Sequence, residues 1–309
     1  MILKKQASEI RKDYFLPKYV IITPRRAIRP RDIDDDQITH TNRPCGLCPD
    51  GIEPNLILDH VGSRQKWDAM ILKNKYSALS LTNPKAYGTQ EVIVETPNHC
   101  LEMHQFSLSK FEQILSVYCK RMIVASQNPK IDFILVFKNS GAPAGASLQH
   151  SHSQLFASEL LSPKVLAELT AVQNYRAEHH KCPYCAILEQ EQKSKRKVYE
   201  DKHILAFTPY ASEYHYELWF YTKRHANGLA DLNQAEKKSL AYALKRALVK
   251  LHILNLPYNF HTHHVASHHE QHFCLKLQPR DSVWAGVEID SGIIINSVPP
   301  EQAATFYRK

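Results

Sequence analysis

No stretch of the chain approaches the ~18 consecutive apolar residues of a membrane span, and the lysines after Met1 lead into no apolar segment of the secretory kind. No pattern of a known DNA- or RNA-binding module is present. The compositional bias of disordered, collagen-like or coiled-coil chains is missing too, with 43% hydrophobic and 23% charged residues. Nor does a chain of 309 residues need disulfide staples, since about 150 residues per domain gives it two domains and a sizeable core. These absences point to a soluble, cytoplasmic protein that acts on neither membranes nor nucleic acid.

What is present is a modest excess of positive charge. Against 31 Asp and Glu stand 39 Lys and Arg, a net +8 that favours anionic partners such as nucleotides and sugar phosphates. Arg25, Arg26, Arg29 and Arg31 form the densest cluster. Asp34, Asp35 and Asp36 read as a solvated turn, and Lys193 to Lys197 as an exposed link. Seven cysteines is an odd number, and four of them form two Cys-x-x-Cys pairs, Cys45/Cys48 and Cys182/Cys185. Without an export signal such pairs indicate metal binding rather than disulfides. Cys100 and Cys119 are expected as core thiols.

The order of elements repeats. After Cys45 and Cys48 come a run around Trp67 to Leu79 and a strand pattern from Gly88 to His99. An amphipathic helix follows, with Phe111, Ile114, Leu115, Tyr118 and Met122 on one face. An apolar strand spans Ile131 to Asn139, and a small-residue loop leads to another strand near His150. After Cys182 and Cys185 the same order recurs, with strands at His203 to Thr208 and His215 to His225 and a helix over Gln234 to Leu254. Strands at Tyr258 to His264 and Gln271 to Leu277 complete it. The boundary between the units falls in Leu161 to Glu178.

Each unit also supplies two histidines at matching places. Zinc takes four thiolate or imidazole ligands in a tetrahedron, so the expected sets are Cys45, Cys48, His99, His150 and Cys182, Cys185, His225, His272. The second set has competitors in His179, His180, His263, His264, His268 and His269. Four protein ligands leave no place for a reactive water, so both ions are expected to hold structure.

The richest chemistry lies between Asn139 and Gln154. Small residues around Gly145 let backbone N–H groups approach a phosphate, and Ser147 adds a hydroxyl. In a strand His150, His152 and Gln154 share one face. One imidazole can then serve a metal while the next meets substrate. A neutral His152 nitrogen is a competent nucleophile toward phosphorus, and Gln154 can donate to a phosphoryl oxygen.

The run GxxxGxSxxHxHxQ with its upstream Asn139 resembles the galactose-1-phosphate uridylyltransferase branch of the histidine-triad superfamily, and the duplicated units resemble its two fused lobes. RRAIRP (Arg25 to Pro30) is similar to the family's HRxxRP, which implies that Arg26 and Arg29 contact nucleotide phosphates. Asn74 in KNKYSAL, together with Asn139, Gly145 and Ser147, is implied at the nucleotide, and ETPNH supplies the metal ligand His99. The segment LQPRDSVWAGVEIDSGIIINSVPPEQAA resembles the part of the family that helps form the sugar-phosphate end.

The resemblance implies an α+β fold of two tandem histidine-triad-like lobes, each an antiparallel sheet with a covering helix and a zinc site, at residues 1–165 and 166–309. It implies ping-pong nucleotidyl transfer through His152, in which a UDP-hexose is the donor, a hexose 1-phosphate the acceptor and the enzyme a homodimer. The departures concern base and acceptor. Ser151 stands where the uridylyltransferase pattern has proline, and HSHSQ is similar to the ADP-glucose phosphorylase-like branch. An adenylyl transferase or phosphorylase, a non-catalytic nucleotide sensor and a dinucleoside polyphosphate hydrolase stay open as alternatives. In the second unit Cys274 occupies the nucleophile position and THHVASHHEQ replaces the small-residue loop, so that unit is expected to be unreactive.

Overall fold

The computed structural model describes residues 8–24, 45–268 and 271–309. The elements run in the order β1 (Glu9–Lys12), β2 (Tyr19–Ile22), β3 (Ile57–Gly62), β4 (Trp67–Lys73), β5 (Gly88–Val94), α1 (Leu108–Ser126), β6 (Phe133–Ser140) and β7 (His152–Ser158). There follow α2 (Pro163–His179), α3 (Pro183–Glu191), β8 (Lys197–Glu200), β9 (Ile204–Phe207), β10 (Leu218–Thr222), α4 (Gln234–Ile253), β11 (Tyr258–Val265), β12 (Cys274–Pro279), α5 (Gly286–Ser291), β13 (Ile294–Asn296) and α6 (Pro300–Arg308).

Ten strands form one sheet in the order β3-β4-β5-β7-β6-β11-β12-β10-β9-β8. Read from either edge, five strands follow in the same relative chain order, so the repeat in the sequence becomes a near two-fold repeat within a single sheet. The halves meet where β6 and β11 pair antiparallel through eight Cα partners, from Tyr258 opposite Ser140 to Val265 opposite Phe133. This pairing satisfies the edge strand of each half, which would otherwise expose unpaired backbone groups.

Strand alternation sends one set of side chains to the helices. Ile134 and Val136 of β6, Leu155 and Ala157 of β7, Phe260 of β11 and Leu277 of β12 join α1 and α4 in one core. The expected stripe on α1 is buried throughout, and Ser107 caps the helix by accepting from the Lys110 N–H. Burial of each such side chain contributes about 1.5–3 kcal/mol. In α4 Asn233 and Glu236 form a reciprocal capping box.

The opposite face is partly covered by α2, which occupies the expected boundary segment. Its Val165 and Leu169 pack on Phe133 and Val265. Strands β1, β2 and β13 make a separate small sheet in which β2 and β13 run parallel. Tyr14 and Phe15, just after β1, pack against Val172, Tyr184 and Trp219, so the N-terminal segment rests on the second half.

Two expectations need correction. Cys119 is buried, but Cys100 is exposed, because it follows the turn in which Asn98 Oδ1 accepts its N–H beyond the end of β5. The Lys193–Lys197 run is not a free solvated link. Arg196 inside it pairs with the buried Glu191 at 2.6 Å and with Glu301 at 3.2 Å, and Lys197 opens β8. Charge alone concealed these partners, of which Glu191 is buried.

Candidate active site and metal centres

In the first half, Cys45, Cys48, His99 and His150 bring two thiols and two imidazole nitrogens within 4.8 Å of one another. Cys48 Sγ lies 3.4 Å from His99 Nδ1 and 3.6 Å from His150 Nδ1. These separations match the edges of a tetrahedron built from metal–ligand bonds of about 2.0–2.3 Å. The second half repeats the arrangement with Cys182, Cys185, His225 and His272. Of the competing histidines, none among the described residues joins that group; His269 lies outside them.

The outer contacts repeat as well. His150 Nε2 donates to the carbonyl of Thr96 at 2.7 Å, and His272 Nε2 donates to the carbonyl of Thr222 at 2.7 Å. Each bond leaves Nδ1 unprotonated and aimed at the thiols, the orientation expected of a metal-binding histidine. His272 Nδ1 is buried without a hydrogen-bond partner among the described residues, an orphan that an ion would satisfy. Both groups therefore fit a divalent metal.

His150 precedes β7 instead of lying within it, so the strand starts at His152. From there His152, Gln154 and Phe156 face away from α1, while Ser153, Leu155 and Ala157 face it. His152 Nδ1 lies 2.7 Å from the carbonyl oxygen of His150. That oxygen can only accept, so Nδ1 carries the proton and Nε2 the free lone pair. Burial pushes the His152 pKa below its ordinary value, which keeps the ring neutral.

His152 lines a cleft of about 520 Å³ together with Asn139, Gly141, Ser147, Gln149 and Ser151. The loop at its mouth turns on Gly141 and Gly145, at φ +84° and +83°, a region that side chains disfavour. A Cβ on Gly141 would also meet Pro257 at 2.8 Å. Of the other expected contacts, Gln154 follows on the same face of β7 but lies outside the cleft lining. Asn74 caps its own turn by accepting from the Tyr76 N–H and does not line the cleft. Arg26 and Arg29, with Arg25, Arg31 and Asp34 to Asp36, lie outside the described residues.

Behind His152 sits a buried polar network that sequence reading missed. Lys138 Nζ contacts Glu95 at 2.7 Å, the Ser151 hydroxyl at 3.0 Å and the His152 carbonyl at 3.1 Å. Ser151 donates to Glu95 Oε2 at 2.6 Å, and Tyr118 of α1 donates to Oε1 at 2.7 Å. Burial alone would raise the Glu95 pKa, but the Lys138 charge together with the hydrogen bonds from Lys138, Ser151 and Ser153 holds the carboxyl below its ordinary value. Proline at position 151 could make neither of these bonds. The sole hint in the sequence was Lys138, a charge at the end of an apolar strand.

In the second half the place of His152 is taken by Cys274, whose thiol burial pushes up to about 12. It packs against Tyr184 and Tyr221 under α3. Lys276, two residues on, lies 3.5 Å from Glu168 and covers the Trp219 ring. The raised pKa keeps this thiol protonated, which disfavours it as a nucleophile.

Residues 3–162, more than half of the chain, match the family described as galactose-1-phosphate uridyl transferase, N-terminal domain. The chain belongs to the galactose-1-phosphate uridyl transferase family. An ADP-glucose phosphorylase of Arabidopsis thaliana is 32% identical to it, covering 99% of this chain and 94% of the relative. A galactose-1-phosphate uridylyltransferase of Thermotoga maritima is 28% identical, over 97% and 98%. The crystal structure of an Arabidopsis thaliana ADP-glucose phosphorylase with bound ADP-glucose superposes with a TM-score of 0.87 at 29% identity, covering 98% of this chain and 99% of that one. This family member thus shares its fold end to end with relatives of both names.

Proposed function

We propose that this protein is a nucleotidyltransferase that works through a covalent nucleotidyl-His152 intermediate, with a nucleoside diphosphate hexose as donor and a hexose 1-phosphate as acceptor. The observation that carries the reading is the neutral His152 ring in the cleft wall, its Nδ1 occupied by the His150 carbonyl. Nε2 attacks the α-phosphorus, the bond to the bridging oxygen breaks, and hexose 1-phosphate leaves with the electron pair. The acceptor phosphate oxygen then attacks the same phosphorus and displaces Nε2. Asn139, Gly145 and Ser147 hold the phosphates, Gln154 donates to a phosphoryl oxygen, and Asn74, Arg26 and Arg29 bind the nucleotide.

The first assignment is UDP-glucose:hexose-1-phosphate uridylyltransferase, supported by the family match and the Thermotoga relative. A second reading, ADP-glucose phosphorylase or adenylyltransferase, is favoured by the Ser151 bridge between Glu95 and Lys138 and by the Arabidopsis relative. Zinc suits both thiolate–imidazole groups and supplies structural rigidity rather than reactivity. Residues 1–165 form the catalytic lobe in this reading and 166–309 the supporting one. Val283, Val287 and Ile289, apolar and exposed, supply surface for a homodimer. No helix among the described residues is long and apolar enough to cross a membrane, and the unpaired cysteines suit the cytoplasm.

Intact-protein mass after mixing with UDP-glucose or ADP-glucose alone, under non-acidic conditions, tests the proposal. A UMP adduct supports the first assignment and an AMP adduct the second. Nucleotide binding without an adduct from either donor would sink covalent transfer.

A further inference from the structure

Asn259 lies on β11, in the half of the sheet without a nucleophile, and is the Cα partner of Asn139 across the junction. Its side-chain nitrogen donates to Asn139 Oδ1 at 2.8 Å and to the main-chain carbonyl of Ala144 at 2.7 Å. The orientation of both amides follows from this pair of bonds. The Ala144 carbonyl only accepts, so the Asn259 group facing it is NH₂. The Asn139 atom facing that same NH₂ group is then its carbonyl oxygen. The Asn139 NH₂ is turned the other way, toward the loop, 3.8 Å from where a Cβ on Gly145 would stand.

The same two bonds grip both arms of the expected phosphate cradle. One holds the Asn139 side chain, which lines the cleft with His152, and the other holds the loop one residue before Gly145. Asn259 itself is not on the cleft wall.

We infer that Asn259 is a positioning residue for nucleotidyl transfer, supplied by the second half to keep the Asn139 amide donating toward the phosphates of a nucleoside diphosphate. The inference rests on the reading of the His152 cleft as the nucleotide site. It gives the unreactive half a part in the reaction without contact with substrate. An NH₂ group that points at a phosphate oxygen before substrate arrives costs no reorientation on binding, whereas an amide free to flip presents its carbonyl half of the time.

Asn259→Asp separates this role from simple support of the fold. The aspartate has nearly the same shape but offers only acceptors to Ala144 O and Asn139 Oδ1. Asn139 relieves the clash by flipping, which turns its oxygen toward the phosphate. Asn259→Ala removes the tether without forcing the flip. A structural role predicts one parallel loss of melting temperature and activity, while the positioning role predicts a larger loss of function for Asp than for Ala among molecules of matched stability.

The test uses the full-length protein with UDP-glucose and ADP-glucose. Adduct rate is read by intact mass, affinity for UDP and ADP by calorimetry, and melting temperature in parallel. The expected result is a loss of adduct rate of about 30-fold or more for Asp and about tenfold for Ala, with kcat falling more than KM rises and diphosphate affinity falling about tenfold for Asp. If Asn259→Asp lowers the melting temperature, the alanine variant decides on the same two readouts. Rates and affinities within twofold of wild type would overturn the inference and leave nucleotidyl transfer standing. Wild type that binds but forms no adduct removes the transfer reading, and the affinities alone then decide the role of Asn259. Wild type that neither binds nor reacts overturns both.

Discussion

His152 Nδ1 and the main-chain carbonyl of His150 are joined by a 2.7 Å hydrogen bond. The same His150 turns its ring into the first Cys–His group. The orientation of the candidate nucleophile is therefore tied to the Cys–His group that fits a metal, through two residues of backbone.

Loss of the two metal groups should differ in effect. Cys48→Ser is expected to lower both the melting temperature and the rate of adduct formation, because His150 loses its anchor and His152 its orientation. Cys182→Ser is expected to lower the melting temperature while the rate per folded molecule stays within about threefold. Equal loss of rate in both variants, measured on folded protein, would contradict the separation.

His152→Asn should abolish adduct and turnover while UDP or ADP still raises the melting temperature. A variant that turned over at more than about one-hundredth of the wild-type rate would rule His152 out as nucleophile.

Lys138→Met leaves Glu95 buried without its partner, and a broken buried ion pair costs about 3–5 kcal/mol. Chemical denaturation should show a loss of that size. The double variant Lys138→Met/Glu95→Gln should recover part of it, since the uncompensated charge is gone. A loss below about 1 kcal/mol in the single variant would mean that the network does little for stability.

Acid should destabilise the fold through His261 and His263. Burial, with Lys276 and Lys164 nearby, lowers the pKa of both, that of His263 to about 4. The unfolded chain binds these protons first, so stability is full above the ordinary histidine value of about 6.5 and declines as pH falls toward 4. Replacement of His263 by Gln should flatten that decline by an amount on the order of 2 kcal/mol. An unchanged slope between these pH values would show that His263 titrates normally in the fold.

Local chemistry was legible in the sequence because it is carried by residue types at short spacing. The α1 stripe, the Cys-x-x-Cys pairs, the glycines of the loop and the His152 strand depend on helical pitch, turn geometry and strand alternation, which a few neighbouring residues set. The internal repeat extended this reading to the histidines that join each Cys pair, since each unit repeats the same order of parts. Strands β3 and β8 stayed hidden. They are the outermost strands of the sheet, with mixed patterns, and each takes its ladder hydrogen bonds from the next strand along the chain, a local pairing that no periodicity marks.

Tertiary structure alone decided what crosses from one part of the chain to another. Cys100 could not be placed outside the core from its type, and Arg196 could not be read as half-buried and paired until Glu191 and Glu301 met it. Ser151 acquired a purpose when Glu95 and Lys138 closed on it. Asn259 has no local signature at all: its meaning comes from β11 pairing with β6, which sets it opposite Asn139, more than a hundred residues away in sequence. Side-chain type and period are properties of a short window, whereas hydrogen-bond partnership across a sheet is a property of register, and register is settled by packing of the whole face.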